Sequence, residues 1–242
     1  YLIGLSDDVV LYTEGGREVR KDKKAIERAK KNLNKVERMA GLAFENGLRL
    51  HFDSITLFNN GSFPSAHFLS VLALEEIGKA FLLEDFWWHS TVGKRMSKKW
   101  EEKFIDLIYF HRTKQGQFAY NLDASPGMSG RKFTKMLYSG ELEMFKQNAM
   151  YVGLKKHKKK VDLKSKINNP LKLTRKKASK QITDINDRLL EFTIGVVKGV
   201  YSVETESVNK ILNRKLFNRL KDSWPLINRR TRARIGKIES LK

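Results

Sequence analysis

The chain has 242 residues, of which 40% are hydrophobic and 10% aromatic, enough to bury a core and to exclude a disordered chain. It contains no cysteine, which excludes disulfides and thiolate metal sites and suits a reducing cytosol. The formal net charge of +21 is a statement about partners rather than fold, pointing first to nucleic acid, then to an anionic membrane surface or an acidic protein.

Residues 1–21 read as an N-terminal arm that mixes short apolar runs with Asp7-Asp8 and Gly15-Gly16; a hairpin or an extended arm both fit. They carry no basic-then-apolar signal segment and no initiator Met, as a trimmed chain would. From Lys23, with Asp22 as a plausible N-cap, apolar residues step at three and four through Ala25, Leu33, Val36, Ala40, Phe44, Gly47, His51 and Ile55. This pattern predicts one long helix or two stacked ones to about Phe58. Asn59, Asn60, Gly61 and Ser62 form a turn, and Pro64 suits a first helical position because its missing N–H has no partner to lose there. Ala66, Leu69, Ala73, Ile77 and Ala80 then mark an apolar stripe of mostly small residues, which admits a closely packed partner. Glu75, Glu76 and Lys79 fall inside this run. Glu75 and Lys79 stand four apart in the favourable order, and Glu76 is three from Lys79. They form either a surface ion pair beside a core stripe or a buried polar cluster awaiting a partner from another helix.

Phe86, Trp87 and Trp88 cannot all share one helical face; they cap the core end or leave an aromatic patch. Trp100 to Tyr120 repeats apolar residues at helical spacing and carries His111, Arg112 and Lys114, with His111 and Lys114 on one face. Residues 123–131 read as a loop, and a further helix spans about Gly140 to Lys156. Lys155 to Lys180 then holds twelve Lys and Arg against one Asp, which reads as a basic loop or flexible segment. Helical periodicity returns from Thr183 to Leu220, Trp224-Pro225 breaks it, and Arg229, Arg230, Arg232 and Arg234 form a second basic cluster. No apolar run approaches the roughly 18 residues of a membrane helix, so a cytoplasmic protein is expected. The reading is an all-α bundle at 22–154, a basic loop or linker at 155–181, and a C-terminal helical segment with a basic tail at 182–242.

Metal chemistry finds no support in the sequence, with no cysteine, no His-Glu-x-x-His and no carboxylate-x-x-His pair of a di-metal bundle. Neither a P-loop nor a dinucleotide-binding glycine pattern occurs. No cofactor is expected. What remains is Glu75, Glu76 and Lys79 on one helix and His111 and Lys114 on another. Metal-free RNA cleavage by 2′-hydroxyl attack needs a proton acceptor, a proton donor and cations around the phosphorane, and histidine titrates in the right range. The same residues would also serve as a polar network that simply joins two helices.

Ser65-Ala-His-Phe-Leu-Ser-Val-Leu-Ala-Leu-Glu-Glu-Ile-Gly-Lys-Ala80 resembles the signature of the AbiV-type abortive infection proteins, a branch of the HEPN superfamily. His111-Arg-Thr-Lys114 resembles that family's His-x-x-Lys segment. Lys146-Gln-Asn-Ala-Met-Tyr-Val152 resembles its Lys-x-x-x-x-Tyr-Val segment, and the three together cover about residues 38 to 170. The resemblance implies a HEPN-like helical bundle, an antiphage role exercised on RNA or the translation machinery, and a homodimer with the motif helices near the twofold. It implies a metal-independent endoribonuclease or, alternatively, a non-catalytic module that binds RNA, the ribosome or a phage protein. The superfamily's usual ribonuclease motif, an Arg and a later His with roughly four to six residues between them, is absent, so Glu75, Glu76, Lys79, His111 and Lys114 are the catalytic candidates. Nucleic-acid contacts are expected from Arg112, Lys146, Lys155, Lys156, Lys158, Lys159, Lys160, Arg175, Lys176, Lys177, Arg229, Arg230, Arg232 and Arg234.

Overall fold

The computed structural model describes residues 23–91, 98–122, 135–136, 139, 141–154, 156–157 and 160–241. Nine helices are described: α1 (Lys23–Asn59), α2 (Phe63–Thr91), α3 (Lys98–Leu107), α4 (His111–Leu122), α5 (Glu141–Met150), α6 (Arg175–Val197), α7 (Glu206–Ile211), α8 (Arg214–Ser223) and α9 (Arg229–Glu239). A two-residue hairpin, β1 (Lys156–His157) with β2 (Lys160–Val161), and a 3-10 turn at Pro170–Lys172 lie between α5 and α6. The architecture is all-α, as the periodicities predict. Residues 1–32 and 33–242 form two units; within the first, residues 23–32 are helical and 1–22 lie outside the described residues. The second unit carries the buried core and the motif residues.

The centre of this unit is α2. Ala66, Ala73, Ile77 and Ala80 are fully buried, as the stripe requires. Helices α4, α5 and α6 all pack on it. Gly78 explains how α4 comes so near. A Cβ there would lie 1.9 Å from the Lys114 carbonyl oxygen, so any side chain would push the two helices apart. Small residues on α2 thus set the α2–α4 distance, and that distance decides which polar groups meet. Phe81 continues the core with edge-on contacts to Phe44 of α1 and Phe192 of α6. Phe86 is buried, Trp87 packs partly on the core and Trp88 is exposed, so α2 runs through all three aromatics.

The third periodic segment is two helices, not one. Ile108 to Phe110 form a turn between α3 and α4, which puts His111 at the start of α4. The C-terminal segment is broken as well. Helix α6 ends at Val197, and Gly199, just past the Lys198 cap, has a φ of +68°, the left-handed conformation that terminates a helix and favours glycine. Helices α8 and α9 pack back on α6. Trp224 is the pin of a second small core: its ring meets Phe58 edge-on and its Nε1 donates to Thr183 Oγ1 at 2.9 Å.

Two histidines are structural. His51 Nε2 meets Asn186 Oδ1 at 2.9 Å, and full burial pushes its pKa down to about 4. His67 is also buried; burial first, then the nearby Lys177 charge, lowers it to about 4. Both rings are neutral at pH 7.

Candidate functional site

Glu75 points from α2 into the bundle and is 2% exposed. A carboxylate in that position needs hydrogen bonds and a compensating charge, and α4 and α5 supply them. His111 Nδ1 meets Oε2 at 2.8 Å. Gln115, one turn further along the same face of α4, donates Nε2–H to Oε1 at 2.8 Å. Lys146 of α5 donates to Oε1 at 3.0 Å and also ion-pairs with Glu143 Oε2 at 2.6 Å. Burial acts to raise the Glu143 pKa, but hydrogen bonds from Lys146 and Gln147 and the nearby Lys146 and His111 charges outweigh it and hold the carboxyl low.

The imidazole of His111 bridges this buried charge and solvent. Its side chain is 51% exposed, whereas those of Glu75 and Lys146 are 2% and 7% exposed. With Nδ1–H donating to Glu75, the neutral ring carries its lone pair on Nε2. The Lys146 ammonium, 3.4 Å from Nδ1, can only donate and would favour the opposite tautomer; the shorter contact, to the acceptor-only carboxylate, decides the assignment. Such an arrangement can take up and release a proton at Nε2 while Glu75 holds the ring in place.

Candidate ligand atoms of Glu75, His111 and Glu143 lie within 4.8 Å of one another, a spacing that can also hold a metal ion. Here the Lys146 ammonium lies against both carboxylates and provides the positive charge itself. A metal would have to displace it.

Glu76 and Lys79 lie elsewhere on α2. Lys79 pairs with Glu76 at 3.6 Å, and Asn46 of α1 donates to Glu76 Oε2 at 3.2 Å. Of the two pairings that the spacing allows for Lys79, the structure forms the one with Glu76, while Glu75 meets His111, so the charged residues of α2 divide between two clusters. The reason is rotational: one residue is about 100° around a helix, so Glu75 faces α4 and α5 while Glu76 turns to α1. Nor do His111 and Lys114 act as one face. Lys114 is buried at the Gly78 crossing, while His111 is exposed.

Lys146, expected among the nucleic-acid contacts, is instead buried between Glu75 and Glu143. Arg234 is likewise committed, to Glu191 at 3.1 Å. Arg112 is exposed beside His111. Lys156 and Lys160 lie in the hairpin strands, and Lys155, Lys158 and Lys159 fall outside the described residues. Arg175, Lys176 and Lys177 form the first turn of α6 rather than part of a loop, because the Thr174 side chain caps that helix by accepting from the Lys177 N–H. They are exposed, as are Arg229, Arg230 and Arg232 on α9.

Sequence reasoning missed Gln115 and Glu143 as members of the cluster. A signal existed for each: Gln115 stands one turn after His111, and Glu143 stands three before Lys146.

A family model for AbiV, of the HEPN type, matches residues 35–191, a span that contains α2, α4, α5 and all five residues of the cluster. No curated protein and no solved structure matches the chain.

Proposed function

The chain belongs to the AbiV family of HEPN-type proteins, and on that footing, which suggests abortive infection or defence, we propose that it acts on RNA, with His111 as the group that moves the proton. The observation that carries this reading is the half-exposed imidazole whose Nδ1 is fixed on the buried Glu75 carboxylate at 2.8 Å. In the proposed reaction, Nε2 accepts the proton of an RNA 2′-hydroxyl. The 2′-oxygen attacks the adjacent phosphorus, the bond to the 5′-oxygen breaks, and that oxygen leaves with a proton returned from the imidazolium or from water. The products are a 2′,3′-cyclic phosphate and a 5′-hydroxyl. Glu75 is a positioning residue, and Lys146 balances its charge. Arg112 and the exposed cations of α6 and α9 hold phosphates, reading charge rather than sequence. Glu76 and Lys114 support α2 and its neighbours, and Lys79 supports α2 through Glu76 or meets a phosphate at the edge of the site.

The proposal extends to assembly. Exposed Tyr109 and Phe110 directly precede His111, and exposed Phe145 and Tyr151 flank Lys146 in and after α5. Apolar surface beside a polar site suits a twofold contact between two copies. No described helix is long and apolar enough to cross a membrane, and the cysteine-free composition fits action in the cytoplasm.

Incubation of the purified protein with single-stranded RNA, with and without chelator, tests the reading. Cleavage should survive chelation and leave cyclic phosphate ends. His111→Ala should lower the rate by about 10²–10⁴-fold with RNA affinity unchanged, and sedimentation should give twice the 28.1 kDa chain mass. RNA binding without cleavage would favour the second reading, a non-catalytic binding module.

A further inference from the structure

On the second unit, away from the Glu75 cluster, an open groove of about 830 Å³ runs between α1 and the α7–α8 pair. Its walls carry aliphatic side chains, among them Leu42, which is 54% exposed, and half-buried Ile211. Five cations line it against one carboxylate, Glu45. Two of the five are engaged, Arg49 with Asp53 and Lys210 with Glu206. A third, Arg219, stacks its guanidinium 3.8 Å above the Phe52 ring. Arg38 and Lys215 make no ion pair among the described residues and are exposed.

We infer that this groove is a docking site for an acidic amphipathic helix of a partner protein. Two features select that occupant. The lining offers aliphatic side chains, Leu42 among them exposed, which suits leucine-like side chains spaced one turn apart. The rim is cationic, which suits carboxylates on the flanks of the same helix. A nucleic acid fits less well. Bases would need open aromatic faces to stack on, and Phe52, the one aromatic ring in the lining, is already covered by Arg219. The inference stands apart from the proposed RNA chemistry, because none of the groove residues belongs to the Glu75 cluster.

The test uses the full chain and a fluorescent peptide of about 18 residues, five helical turns, with leucine on one face and glutamate on the others. A scrambled peptide of the same composition and an oligouridylate serve as competitors, read by anisotropy at physiological salt. The amphipathic peptide should bind at least about tenfold more tightly than the scramble. Leu42→Glu, and separately the pair Arg38→Glu with Lys215→Glu, should each weaken it about tenfold or more. These positions are exposed, so the variants keep their fold, checked by circular dichroism; His111-dependent behaviour should be unchanged. Equal binding of the scramble would overturn the inference by reducing the groove to unspecific charge. So would a Leu42→Glu protein that binds normally, or oligouridylate displacing the peptide from the wild type, which would mark a nucleic-acid face.

Discussion

Helix α2 buries two glutamates nine residues apart, and the protein treats them oppositely. Glu75 is met by a cation, Lys146, together with the amide of Gln115 and the imidazole of His111. Among the described residues, Glu84 is met by uncharged donors alone: the backbone N–H of Glu204 and of Thr205, the latter at 3.1 Å, and the Thr205 hydroxyl. Burial raises the Glu84 pKa, and these hydrogen bonds only partly offset it; the nearby Glu204 charge pushes the same way as burial. Asp85, its neighbour, is raised to about 6 by burial despite a hydrogen bond from Gln117. Fastening the Glu204–Thr205 turn onto α2 needs only an acceptor, and a carboxyl that tends toward neutrality serves. Holding an imidazole in one tautomer needs an acceptor at Nδ1, and an ionised carboxylate offers acceptors only. Lys146 is the device that sustains one inside the bundle.

The contrast predicts a ranking. Lys146→Met leaves Glu75 and Glu143 without their cation and should cost about 3–5 kcal/mol in urea unfolding. Pairing it with Glu75→Gln should recover part of that loss, because the two side chains are coupled. If Lys146→Met costs no more than a surface substitution, the two ends of α2 are not different in kind.

A smaller effect is expected at the other end. Glu84→Gln keeps one oxygen acceptor but turns an NH₂ toward backbone donors, at a cost of about 1–3 kcal/mol near pH 7. Because the carboxyl is raised in the folded state, the wild type gains stability as pH falls and the amide variant does not, so the penalty should grow in acid. A penalty that shrinks in acid would mean that Glu84 depends on its negative charge.

The smallest change is a gain. A carboxyl with a raised folded pKa contributes stability below its unfolded pKa and loses it as pH rises through the folded value. For Asp85 that window runs from the ordinary 3.8 up to about 6. Asp85→Asn removes the ionisation and should stabilise the protein by about 1–2 kcal/mol above pH 6, with no gain below pH 3.8. Thermal melts across pH 3.5 to 7.5 read this directly. A pH-independent difference would place the origin of the effect in packing.

Much of the frame was legible in the residues. The Asn59–Ser62 turn and the small-residue stripe are local signals, and they mark both the start of α2 and its closely packed face. Breaks were harder. The α3–α4 turn at Ile108–Phe110 carries neither Gly nor Pro, and Gly199 looks like any glycine within an apolar run. The start of α6 was hidden because a lysine-rich run masks its one signal, the Thr174 cap.

By itself, the sequence determined the helical class, the basic character, the family and the presence of Glu75 and His111 on neighbouring helices. That Glu75, and not Glu76, meets His111, and that Lys146 is drawn inward to neutralise it, comes from the packing of α2, α4 and α5. Helical spacing states which residues share a face, but not how far each helix turns about its own axis. That rotation follows from close packing at Gly78 and from partners 36 and 71 residues away along the chain. The charge that Glu75 must keep is a local property; the cation that allows it to be kept arrives from a distant helix.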